Sequence, residues 1–337
     1  MLTRISFYTA ILALIGGCAP HAEQEVVVYT ALDEEFSRPI FEEFTRETGI
    51  TVQAVYDVES TKSVQLTQRL LEERGRPRCD VFWNNEVVNT LRLEKAGLLA
   101  EYYSPMGSRY PAQYRSPQGT WYGFAARARV LIVNTKLLDE SERPTSILDL
   151  TDAKWKDRAG IAKPLAGTTA THAACLFAAW GDDRAKEFFH AVKQNARTMA
   201  GNKQVARAVA DGELAFGLTD TDDAIIELES GRPVAIVFPD QEGDRPLGTL
   251  MIPNTLAIIK GAQHRDAAER LVEYLLSVEG QLAAGPSAQF PLNPQLSTRS
   301  RTAPAEPVRE MQVDFAAGAE KWDAAAKFLK DEFATAE

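Results

Sequence analysis

The chain has little of what usually carries chemistry. Among 337 residues there are only four histidines and three cysteines. His21, His172, His190 and His264 are scattered, and no zinc-ligand spacing can be assembled from them. Cys18, Cys79 and Cys175 make no disulfide framework, and the two inner cysteines read as lone apolar fillers. There is no G-x-S-x-G elbow, no H-E-x-x-H and no G-x-x-x-x-G-K-[ST] loop, so serine-hydrolase, zinc-protease and nucleotide-hydrolysis chemistries have no motif to stand on. Positive charge is outweighed: 37 Lys and Arg against 47 Asp and Glu leave a formal charge of −10, which disfavours nucleic acid as a partner. Internal repeats and low-complexity tracts are missing too.

Long apolar runs are also scarce. The single candidate, Ile5–Ile15, follows Met1 and Arg4 and is too short to span a bilayer. It leads into Gly16-Gly17-Cys18, with acidic charge beginning at Glu23. A positive start, a short apolar core and a small-residue cleavage site predict a signal peptide over residues 1–18. Its Ile-Gly-Gly-Cys ending resembles a bacterial lipoprotein signal. That resemblance implies lipidation of Cys18 and a domain tethered outside the cytoplasm.

What remains is long enough for one large or two medium domains. Val26–Tyr29 predicts a strand, the stretch through Ile40, Phe41 and Phe44 a helix ended by Gly49, and Ile50–Val55 a second strand. A helix over Ser63–Arg74, a strand over Cys79–Trp83 and a helix over Val87–Ala96 complete one α/β unit with a mostly parallel sheet. Tyr102–Thr120 reads as loop, and Val130–Val133 as strand. A second unit runs through the strand Gly160–Ala162, helices Ala170–Trp180, Arg184–Gln194 and Lys203–Asp211, and the strands Leu214–Leu218 and Val234–Phe238. Leu256–Ile259 resembles a return crossing, Asp266–Ser277 predicts a helix, and Val308–Leu329 carries a further helical pattern. In such sheets ligands bind beyond the carboxyl ends of strands.

Two loops stand out on that rule. Asp220, Asp222 and Asp223 follow the apolar run Leu214–Leu218. They are either an acidic turn capping a helix at Ala224–Glu229 or a site for a cation or ligand ammonium. Pro164–Ala170 places Thr168 and Thr169 where a strand gives way to an apolar helix, and free N–H groups there suit an anion or an ordinary cap. Asn202, before its own helix, is likewise a cap or a ligand contact. Tyr29 ends the first strand and is expected to line the cleft.

Val26-Val27-Val28-Tyr29-Thr30-Ala31, Phe41–Gly49, Cys79-Asp80-Val81-Phe82-Trp83-Asn84-Asn85-Glu86 and Lys95-Ala96-Gly97-Leu98-Leu99 together resemble the solute-binding proteins of ferric-iron ABC importers. Ala126–Leu131, Ala200-Gly201-Asn202-Lys203 and Asp211-Gly212-Glu213 extend the likeness into the second half. It implies a type II periplasmic-binding fold, two α/β lobes joined by crossing hinge strands, assigned to 25–123 plus 254–299 and 124–253 plus 300–337. It also implies a monomer that delivers its ligand to an ABC permease in the cytoplasmic membrane, with no chemistry of its own.

The departures are specific. Asp222 and Asp223 stand where the relatives carry adjacent tyrosines, Asp33 where they often have histidine, and Asn85 at a glutamate position, with Glu86 one place later. The expected metal set is therefore Asp33, Glu86, Asp222 and Asp223, holding Fe, Mn, Ca or Mg through oxygen, with Tyr29, Thr168, Thr169 and Asn202 as further ligand contacts and an anion beside the metal. The alternative ligand is a small zwitterion or oxyanion such as an amino-phosphonate, favoured if Arg127 or Lys62 points inward. A carboxylate-based hydrolase is the remaining alternative.

Overall fold

Valine-rich β1 (Glu25–Thr30) sends successive side chains to opposite faces, so Val26 and Val28 join one apolar layer and Tyr29 the other. A computed structural model describes residues 24–57, 63–243, 246–278, 289–293 and 307–334. The expected signal peptide with Cys18 lies outside the described residues, as does Lys62. No helix among the described residues is long and apolar enough to cross a membrane.

In the first half, β1 is followed by α1 (Glu34–Thr48), β2 (Thr51–Tyr56), α2 (Val64–Glu72), β3 (Val81–Asn84) and α3 (Val87–Lys95). Gly49 ends α1 in the left-handed conformation, donating its N–H to the Thr45 carbonyl, a position glycine takes without a Cβ penalty. Residues 102–120 hold only short 3₁₀ turns. The second half contains β4 (Tyr122–Asn134), β5 (Ala159–Ala162), α4 (Gly167–Trp180), α5 (Asp182–Asn195), β6 (Arg197–Met199), α6 (Asn202–Ala210), β7 (Phe216–Asp220), α7 (Thr221–Glu229) and β8 (Val234–Val237). Then come β9 (Met251–Ile258), α8 (Arg265–Ser277), β10 (Phe290–Pro291) and α9 (Phe315–Phe333).

The sheet order is β2-β1-β3-β9-β4-β7-β5-β6, with β8 and β10 also pairing to β4. Pairing is parallel for β1 with β2 and β3, and for β5 with β6 and β7. Strands β4 and β9 carry the chain between these two parallel groups. β4 is 13 residues long and changes partner midway: Tyr122–Ala128 pair with β9, and Arg129–Val133 with β7, both antiparallel. The result is two α/β lobes joined by crossing strands.

Helices cover both faces. One layer gathers Phe82, Leu131, Phe177, Phe189, Phe216 and Trp322. The other gathers Phe41, Phe44, Trp83, Phe124, Leu256 and Leu271. Each such side chain stabilises the fold by about 1.5–3 kcal/mol against exposure. β4 and β9 are longer than the sequence expectation and β10 is additional to it, and three further differences are local. β6 is half-exposed and only three residues long, too short for a periodic signal. α9 begins at Phe315, because Asp314 caps it by accepting from the Ala316 and Ala317 amides. α7 begins at Thr221, so Asp222 and Asp223 sit in its first turn and not in the loop before it.

Candidate functional site

Three helices of the second lobe, α4, α6 and α7, present their N-termini to one cavity of about 460 Å³. Ala166–Thr169, Gly201–Lys203 and the Asp220, Asp222, Asp223 group line one side; Leu32, Asp33, Phe36 and Asn85 come from the first lobe. Partial positive charge at each N-terminus favours anionic groups there. Ala166 provides no side-chain cap to α4, so backbone N–H groups of its first turn face the cavity wall without one. Lys203 Nζ of α6 and Glu35 Oε1 of α1 meet at 3.9 Å across the lobes, a half-exposed pair contributing about 0–1 kcal/mol.

Beneath this surface lies a buried polar network on β4. Arg129 is fully buried and donates to Asp220 at 2.6 Å, Asn202 at 3.0 Å, Thr168 at 3.3 Å and Thr169 at 3.2 Å. Asp220 accepts further from the Thr168 hydroxyl at 2.6 Å and the Asn202 amide at 3.0 Å. The hydrogen bonds around this buried ion pair bind the starts of α4, α6 and α7 together, and the Arg129 Nε hydrogen is left without a partner. Arg127, two residues earlier and so on the same face of β4, reaches the cavity itself. Its guanidinium lies 3.2 Å from Asp222 and 3.9 Å from Asp220. Burial alone would pull the Arg127 pKa down, but Asp222, Asp220, Asp223 and Asp33 outweigh it and hold it above its ordinary value.

The expected site residues divide into those on the cavity and those beside it. Asp33, Asp222, Asp223, Thr168, Thr169 and Asn202 all line it. The carboxylates of Asp220, Asp222 and Asp223 each offer an oxygen within 4.8 Å of the others. Asp220 is bound by Arg129, Thr168 and Asn202, and Asp222 and Asp223 follow it on the cavity in the first turn of α7. The hydroxyls of Thr168 and Thr169 likewise serve the internal network, so what this turn offers a ligand is backbone.

Tyr29 and Glu86 are placed elsewhere. Alternation along β1 turns Tyr29 into the core, where its hydroxyl donates to Glu73 at 3.0 Å and Arg69 lies 4.5 Å above its ring. Burial and Glu73 raise its pKa, so no tyrosinate is offered. Glu86 is completely buried and caps α3 by accepting from the Asn89 amide at 3.1 Å. It also accepts from Asn84 at 2.9 Å and from the Thr171 hydroxyl of α4 at 2.7 Å. Its carboxylate therefore ties the lobes together, and Asn85 takes the cavity position beside it. Arg129 had no assigned role in the sequence, and Asp220, read with Asp222 and Asp223 as a helix cap or a cation site, is instead the partner of Arg129. Their signal was two arginines spaced i, i+2 in an otherwise small and apolar strand, where buried charge demands a partner.

Two α/β lobes around a polar cleft, with helix N-termini and carboxylates aimed into it, define a ligand-binding protein of the type II periplasmic class. Residues 26–284 match the model of the family described as bacterial extracellular solute-binding protein, and the chain belongs to that family. It is a binding protein and not an enzyme. The major ferric iron-binding protein of Neisseria meningitidis is 26% identical over 325 residues, covering 94% of this chain and 96% of that protein. Iron uptake protein A1 of Synechocystis is 29% identical over 273 residues, covering 78% and 74%. The structure of iron-bound HitA from Pseudomonas aeruginosa superposes with a TM-score of 0.80 at 24% identity, covering 92% of this chain and 99% of that one, and shares its fold.

Proposed function

We propose that this chain is the substrate-binding component of an ABC importer and captures a hard metal cation, iron foremost, in the interlobe cleft. The carrying observation is the convergence of Asp222 and Asp223 with Asp33 from the opposite lobe on one cavity. Carboxylate oxygens suit hard cations, and Asp33 joins Asp222 and Asp223 in giving this cleft an oxygen-rich lining. The iron-named relatives support the choice of metal. The α4 N-terminus at Gly167–Thr169, with Lys163 and Lys203 also on the cavity, suits an oxyanion arriving with the metal. In this reading the lobes are 25–123 plus 254–299 and 124–253 plus 300–337. Cys18, lipidated, anchors the domain outside the cytoplasm, where it hands its cargo to a membrane permease.

One observation favours a second ligand class. Arg127 points into the cavity and meets Asp222 at 3.2 Å, and the cavity is large for a bare ion. A small zwitterion such as an amino-phosphonate would place its ammonium at Asp222 and Asp223 and its anionic end at the α4 start.

Calorimetry of metal-stripped protein against Fe³⁺ citrate, Mn²⁺, Ca²⁺, Mg²⁺ and a zwitterion panel decides between them. Cation binding that Asp222→Ala plus Asp223→Ala abolishes supports the first reading. Cation affinity untouched by the double substitution rejects the proposed site, and tight binding of a zwitterion alone promotes the second reading.

A further inference from the structure

The acidic side of the cleft already contains a cation. Arg127 is 6% exposed, lines the cavity, and holds Nη2 at 3.2 Å from Asp222 and Nη1 at 3.9 Å from Asp220. Arg129, two residues on, is bound by Asp220, Asn202, Thr168 and Thr169 and belongs to the scaffold. The two arginines thus have different jobs on one strand face: Arg129 fixes the helix starts, and Arg127 neutralises the carboxylates that a ligand would use.

We propose that Arg127 is the specificity-determining residue of the cleft: a resident counter-cation that a metal must displace from Asp222, and that sets how strongly a cation has to bind to be retained. This rests on the cation-capture reading above. The physical basis is direct. A metal held by Asp222 and Asp223 would sit within a few ångströms of the guanidinium, and the near-complete burial of Arg127 weakens the screening of their repulsion. Weakly held divalent ions lose that competition. A cation of higher charge, or one arriving with an oxyanion that takes over the guanidinium, wins it. A guanidinium moved off Asp222 by an anion keeps its charge paired, so the exchange does not leave a buried charge alone.

The test uses Arg127→Gln, which removes the charge and leaves a shorter polar side chain with an amide donor, and Arg127→Lys, which keeps the charge. Mn²⁺ titrations of the metal-stripped full-length chain are expected to show Arg127→Gln binding at least about tenfold more tightly than wild type. Arg127→Lys is expected to restore the wild-type weakness. Since Arg127→Gln leaves its acidic neighbours uncompensated, the thermal midpoint with and without Mn²⁺ supplies a second readout that works for a destabilised protein. Mn²⁺ should raise the midpoint of Arg127→Gln more than that of wild type.

Four outcomes are distinct. Tighter Mn²⁺ binding by Arg127→Gln than by a wild type that retains Fe³⁺ citrate upholds the proposal, whereas a wild type that holds no cation overturns cation capture and the proposal with it. Wild type binding Mn²⁺ as tightly as Arg127→Gln overturns the proposal and leaves cation capture standing. Absence of Mn²⁺ binding by both, with wild type retaining Fe³⁺ citrate, also overturns only the proposal. Absence of every cation from both proteins overturns the proposal and cation capture together.

Discussion

Arg129 and Asp220 are directly opposite each other on β4 and β7, and their side chains meet at 2.6 Å with almost no solvent exposure. A cross-strand pair of this kind converts strand register into site geometry, because the same carboxylate also receives Thr168 of α4 and Asn202 of α6. Removing one partner strands a buried charge. Arg129→Met is expected to cost about 3–5 kcal/mol, and Arg129→Met with Asp220→Leu to recover most of it. Urea midpoints at unchanged m-value measure both, and a double variant no more stable than the single would contradict the pairing.

Thr171→Val tests the Glu86 tie. The hydroxyl donates at 2.7 Å to a carboxylate that is wholly buried, and valine keeps the shape without the donor. The expected loss is about 1.5–3 kcal/mol, the range for a hydrogen bond to a charged group. Faster hydrogen exchange at the Asn89 amide, which Glu86 also holds, should accompany it. Exchange unchanged at Asn89 would show that the cap does not depend on α4.

His172 sets a pH dependence. Burial, and next Arg129, lower its pKa to about 3, so the imidazole is neutral in the fold. The unfolded chain binds a proton near pH 6.5 and the folded chain does not, so this contribution is complete above pH 6.5 and is lost as pH falls toward 3. Between pH 6.5 and 5 the loss from this group is about 1.6 kcal/mol. Unfolding titrations of wild type and His172→Asn at those two pH values should differ by that amount, and parallel curves would remove His172 from the account.

Gly217→Ala probes the packing of α6 on β7. A Cβ at Gly217 would run into Val205 Cγ1 and stand 3.1 Å from the Gly160 carbonyl oxygen. Overpacking of that kind costs about 1–3 kcal/mol. A thermal midpoint within a degree of wild type would mean that α6 shifts freely, and with it Asn202.

The elements were legible where period and terminus signals agreed. α1 shows both: apolar spacing through Ile40, Phe41 and Phe44, and Gly49 at its end. The cavity-facing residues Asp33, Asp222, Asp223, Thr168, Thr169 and Asn202 were legible because they follow strands or begin helices, where the topology puts ligands. Tyr29 was not, since one residue of alternation decides between cleft and core. Glu86 was not, since a carboxylate on a cap and a carboxylate on a metal look alike until Thr171 is seen beside it, 85 positions away in the chain. Arg129 was hidden by the same distance, its partner Asp220 lying 91 positions on.

The midway change of partner along β4 gives the site an unusual fragility. Both cleft arginines stand at that junction, one on each side of the change from β9 to β7, and both depend on the period of two. A single-residue deletion between Tyr122 and Ala126 would bring alanine and valine to the inner face and turn both guanidiniums outward, so Asp220 and Asp222 would lose the arginines paired with them while Lys163 and Lys203 stayed on the cavity. The loop over 102–120 could absorb length changes during evolution, but this strand has to keep count.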